Sequence, residues 1–186
     1  MEQRNEVIMA GLGGKGVLLA GDLLARSAMA KHKYVTWFPS YFGAVRGGAC
    51  ECTVLFSDDY ISSPVLTKAQ TVIVFEPSQI PSFDSRIRPG GALLIESSGS
   101  EDIGPEKDIR VYKIPAVDTA FSMGNSQVSN SVLLGAYVGV TGVIQPELIE
   151  AQLGERFKTK SDILSLNIEA LRKGIDIGES LIDADR

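Results

Sequence analysis

The chain is 186 residues long, 44% hydrophobic and 22% charged, with 18 basic against 23 acidic side chains and a net charge of −5. That is the make-up of one soluble domain, spanning residues 1–186, able to bury a core without disulfide staples. The mild negative charge and scattered Lys and Arg exclude a nucleic-acid footprint, which needs a clustered basic face. Met1 to Glu6 is polar and shows no secretory leader. The apolar stretch Val132 to Ile144, broken by Gly135, Gly139 and Gly142, is too short to span a bilayer. No membrane contact and a cytoplasmic location are expected.

Val7-Ile8-Met9-Ala10 is a short apolar run ending in a glycine loop, as a buried parallel strand does. Val17, Leu18, Ala20, Leu23, Leu24 and Ala28 then recur at helical spacing, predicting a helix from Gly14 to about Lys31. Tyr34-Val35-Thr36-Trp37-Phe38 is β-branched and aromatic, a second strand stopped by Pro39. Strand, helix and strand make a βαβ unit.

From Ala49 to Phe56 the pattern alternates. Cys50, Cys52, Val54 and Phe56 share one face, opposite Glu51 and Thr53, which suits a strand with one more exposed side. Asp58-Asp59 turns the chain, and Tyr60-Ile61 begins a return ending near Pro64. Thr71 to Phe75 is a buried strand, Pro77 to Arg86 a short helix, Ala92 to Ile95 another strand, and Ser97 to Asp108 a polar surface loop. Arg110 to Ile114 is a strand. Helices follow over Val117–Met123, over Gln127–Val140, from Pro146, and through Leu164, Ile168 and Leu171. The predicted architecture is a single Rossmann-like α/β domain, with a mostly parallel sheet and helices on both faces.

The only cysteines, Cys50 and Cys52, sit two apart on one strand face. They are poorly placed to bond with each other and too few for an iron–sulfur cluster. Two small buried side chains is the expectation, with no metal site.

Two loops carry the functional signal. Gly11, Gly13 and Gly16 satisfy G-x-G-x-x-G between a strand and a helix, where backbone N–H groups of Gly13, Gly14, Lys15 and Gly16 can meet a phosphate at the positive helix end. A dinucleotide dehydrogenase needs an acidic residue after the second strand, and Trp37-Phe38-Pro39-Ser40 has none. A nucleoside-triphosphate loop is excluded because Val17, not Ser or Thr, follows. Glycines that merely let the chain turn are the competing reading. Lys15 is either a point charge for a phosphate or a solvated loop residue. The second loop, Ser40 to Gly48, places Tyr41 and Phe42 beside Arg46, Gly47 and Gly48. Aromatic residues and arginine are the types that dominate protein interfaces. The alternative is that both aromatics fold back onto the core.

These residues resemble the gamma subunit of 2-oxoacid:ferredoxin (acceptor) oxidoreductases. The likeness rests on Gly11 to Val17, Pro39-Ser40-Tyr41, Arg46-Gly47-Gly48, Cys52 to Asp58, Ser63-Pro64, Asn130 to Ala136, and Asn167, Ala170, Leu171 and Gly174. Indolepyruvate oxidoreductase beta subunits share the first loop and the Arg-Gly-Gly ending. The resemblance implies oxidative decarboxylation of a 2-oxoacid with coenzyme A (CoA), giving an acyl-CoA and carbon dioxide and passing electrons to ferredoxin. It implies 2-oxoglutarate ahead of pyruvate and branched-chain oxoacids. It also implies thiamine diphosphate, Mg²⁺ and iron–sulfur clusters on partner alpha, beta and delta subunits, with no catalytic residue on this chain. Under the resemblance, CoA phosphates fall to Gly11, Gly13, Gly14, Lys15, Gly16 and Arg46, and subunit docking to Tyr41, Phe42, Arg46, Gly47 and Gly48. A stand-alone dinucleotide-binding dehydrogenase is the alternative from another class.

Overall fold

In the computed structural model, residues 4–41, 47–98 and 108–184 are described. Six strands form one sheet: β1 (Asn5–Leu12), β2 (Tyr34–Tyr41), β3 (Ala49–Ser57), β4 (Ala69–Val74), β5 (Ile87–Glu96) and β6 (Arg110–Ile114). Their spatial order is β2-β3-β1-β4-β5-β6. β1, β4, β5 and β6 pair in parallel. β3 runs antiparallel to both β1 and β2, so β2 points the same way as β1. The α/β, mostly parallel architecture agrees with the sequence expectation.

Two strands depart from it. The βαβ unit exists, but β3 is inserted between its strands. Consequently β3 is buried on both faces, with Thr53 and Leu55 as enclosed as Cys52, Val54 and Phe56. Thr53 reads as a polar, outward residue in sequence. Inside, its hydroxyl is satisfied by donating to the Pro64 carbonyl at 2.8 Å, which removes most of the cost of burial. The second departure is β2, which continues through Pro39 to Tyr41. A strand at the sheet edge can lack one N–H without breaking a ladder.

The helices are α1 (Val17–Ala28), α2 (Ile80–Phe83), α3 (Ala116–Ser122), α4 (Ser129–Thr141), α5 (Pro146–Phe157) and α6 (Ser161–Ala184). The expected helix at Pro77–Arg86 is a single α turn between two 3-10 turns. One face of the sheet, bearing Val7, Met9, Cys52, Val54, Ile73 and Leu94, packs under α1 and the helices after β6. The other, bearing Ile8, Leu55, Val72 and Leu93, is covered by α2 and by residues 58–68, which contribute Ile61 and Leu66.

Helix α4 is buried from Ser129 to Val138, as expected of a helix apolar on nearly every side. It packs backbone to backbone on α6. A Cβ on Gly174 would collide with the Val132 carbonyl, and one on Gly135 with the Leu171 carbonyl. Ser131 donates to Asn167 Oδ1 at 2.7 Å across the same contact. No described helix is long and apolar enough to cross a membrane.

Candidate functional site

The chain leaves β1 toward α1 on one face and leaves β4 toward α2 on the other. The carboxyl ends of these neighbouring parallel strands therefore border a crevice, the usual ligand position in open α/β sheets. Gly11 closes β1 against Phe75 and Val17, where a Cβ would lie 2.9 Å from each. Gly16 enters α1 at φ +76° without a side-chain cap. Any other residue there is excluded twice, by that left-handed backbone and by Asn130, whose Nδ2 would lie 2.6 Å from a Cβ.

Helical geometry leaves the N–H groups of Val17, Leu18 and Leu19 without an intrahelical acceptor. The first backbone bond into the helix is Ala20 N–H to the Gly16 carbonyl at 3.0 Å. Those donors, with the positive end of the helix dipole, make a site for an anion. Asn130 is the residue that the loop pattern missed. Its side chain is 3% exposed, lies against Gly16 and has no hydrogen-bond partner among the described residues. Its amide is not among the fully buried polar atoms left without a partner in the described residues, so it stays accessible to water or a ligand beside the helix start. Sequence marked Asn130 as part of an apolar helix and of the family resemblance, without a role; no spacing rule links it to a loop more than a hundred residues away.

Lys15 is exposed and paired. Its Nζ pairs with Glu76 Oε2 at 3.1 Å, spanning the crevice from the β1 loop to the end of β4. The second loop does meet the first. Gly13 N–H donates to the Gly48 carbonyl at 2.9 Å, and a Cβ on Gly13 would sit 3.3 Å from Gly47 N. Phe42 and Arg46 lie outside the described residues, and of Tyr41 only the strand position is described.

The cysteines are free. Burial pushes the Cys52 thiol up to about 12, and its sulfur contacts the Val17 carbonyl at 3.8 Å. Burial raises the half-buried Cys50 as well. A cavity of about 310 Å³ lies at the opposite end of the sheet, lined in part by Asn5, Glu6, Arg88, Arg110 and Tyr137. It includes none of the loop residues.

The fold thus defines a Rossmann-like domain with a glycine loop and a helix N-terminus at its crevice. The chain belongs to the pyruvate ferredoxin/flavodoxin oxidoreductase family, whose model matches residues 6–177. It is similar to the ketoisovalerate oxidoreductase subunit VorA of Methanothermobacter marburgensis, 28% identical over 91% of this chain and 36% of that protein. It therefore spans about a third of the length of that relative. It is also similar to the 2-oxoglutarate synthase subunit KorC of Methanocaldococcus jannaschii, 29% identical over 97% of both chains. Among solved structures, the keto/oxoacid ferredoxin oxidoreductase gamma subunit of Geobacter sulfurreducens superimposes with a TM-score of 0.79. That match has 25% identity over 95% of this chain and 99% of that one.

Proposed function

We propose that this chain is the gamma component of a cytoplasmic 2-oxoacid:ferredoxin oxidoreductase, one that holds the phosphates of CoA while partner subunits carry out the chemistry. The observation that carries the CoA role is Asn130, a largely enclosed residue whose amide lies against Gly16 at the mouth of α1. Val17, Leu18 and Leu19 would donate their N–H groups to a phosphate, and the Asn130 amide would add one further donor. The Lys15–Glu76 pair fixes the opposite wall of the crevice.

The iron–sulfur clusters of such enzymes do not fit this chain, and the Gly-Asp-Gly sequence expected of a thiamine diphosphate–Mg²⁺ site does not occur in it. Two cysteines on one strand cannot supply four thiolates. Among the described residues no three His, Cys, Asp or Glu side chains gather as metal ligands. These groups are therefore assigned to the alpha, beta and delta partners. The substrate assigned is 2-oxoglutarate, supported by the full-length match to KorC.

The dehydrogenase reading loses support from topology. The strand beside β1 where a ribose carboxylate belongs is β3, which runs the wrong way and begins, with Ala49, opposite Leu12.

In the assembled oxidoreductase, Asn130→Asp puts a negative charge beside the phosphates. The KM for CoA is expected to rise about tenfold, equivalent to about 1.4 kcal/mol, with the KM for the 2-oxoacid unchanged. Unaltered CoA kinetics would overturn the assignment. Comparing 2-oxoglutarate, pyruvate and branched-chain oxoacids in the same assay tests the substrate.

A further inference from the structure

Strand β2 forms one edge of the sheet and its eight residues, Tyr34–Tyr41, include no charge. Monomeric proteins guard such edges with charged side chains, especially lysine. The opposite edge, β6, does so with Arg110 and Lys113. On β2 the side chains of Tyr34 and Phe38 stand 40% and 44% exposed, and beside them Tyr60 and Val65 are 75% and 59% exposed.

These four form one patch. Phe38 lies opposite Thr53 in register, and Thr53 holds the Pro64 carbonyl, which brings Val65 to the same side. Tyr34 meets Tyr60 edge to face, with ring centroids 5.7 Å apart.

The patch is fixed in place. Arg86 donates to the Leu66 carbonyl at 2.8 Å and pairs with Glu51 at 2.7 Å. Ile61 and Leu66 are buried beneath the segment. A fixed aromatic surface with the exposed carboxylates Asp58 and Asp59 at its rim costs little ordering entropy to cover and has the composition of an interface, apolar at the centre and polar at the edge.

We propose that the β2 edge and residues 58–65 dock a second polypeptide of the same oxidoreductase, the one continuous with this fold in longer relatives. The inference rests on the subunit role argued above. In VorA the matching region is about a third of the chain, so this fold there has a permanent covalent neighbour, the kind of partner an exposed aromatic surface requires. Pro39 selects how it docks. It lacks the N–H for an added strand, and an antiparallel β2–β2 pair of two copies would meet that gap twice. The partner therefore meets side chains and does not extend the ladder.

The test uses reconstituted complexes of the full chain with the partner subunits, titrated by sedimentation. Phe38→Lys and Tyr60→Lys are each expected to weaken assembly at least about thirtyfold. Phe121→Lys, at an aromatic on α3 across the molecule that is as exposed as Tyr60, leaves it within twofold. Equal behaviour of all three variants overturns the proposal. So does unchanged assembly with loss of self-association of the isolated chain, which would assign the patch to a second copy. A normal CoA KM in the residual complex separates this surface from the crevice, whose failure changes KM and not assembly.

Discussion

The two faces of the sheet are finished to different degrees. On one, α4 lies buried between the strands and α6, and glycine lets the two helix backbones touch. On the other, a one-turn helix and an extended segment cover Ile8, Leu55 and Val72, and aromatic side chains remain in water at the β2 edge. The helical face is closed at its centre, although Phe121 on α3 stands exposed at its margin. The thin face closes its own core but leaves its rim open, so changes on the two sides are expected to read out differently: stability on the first, association on the second.

The sharpest test of that contrast is Gly174→Leu. The new side chain has to displace the Val132 carbonyl, and a destabilisation of about 4 kcal/mol or more is expected, seen as loss of a cooperative urea transition. Leu66→Ala on the thin face is expected to cost about 2 kcal/mol, lowering the urea midpoint at constant slope. If it equals or exceeds the glycine variant, the ranking of the faces is wrong.

Alkali gives a third measure, specific to the helical side. Cys52 is pushed up to about 12 and Tyr137 is raised as well, both by burial. The unfolded chain releases these protons at ordinary values near 9 and 10, so it binds fewer protons than the folded state there. The stabilisation is intact below pH 9 and is lost as pH rises from there toward 12, by about 1.4 kcal/mol per pH unit for each group. Cys52→Ala should flatten the first part of that fall in denaturation curves taken from pH 8 to 11. The smallest effect expected is Tyr60→Ser, within about 0.5 kcal/mol of the parent chain in urea, although the same position governs assembly.

Local chemistry accounts for what sequence could reveal. The apolar run Val7 to Ala10, the helical spacing after Gly16 and the Asn167–Gly174 helix were legible because each pattern reports its own burial. The order of strands was not, because β3 carries Glu51 and Thr53, whose partners Arg86 and Pro64 lie on distant segments. The Lys15–Glu76 pair was hidden for the same reason, since Glu76 belongs to another strand end. Asn130 required knowing that α4 begins beside Gly16.

The reversed strand β3 has a consequence for folding fidelity. β2 and β3 form a hairpin whose connection carries the second glycine loop, and that hairpin docks on β1 with Cys52 opposite Met9. A slip of one residue would displace Gly48 from Gly13 by about 3.4 Å. It would also turn Cys52, Val54 and Phe56 out of the helical core. Misplacing the loop by a register slip and inverting the strand are one and the same error, so a chain misfolded in this way also exposes its core to proteolysis.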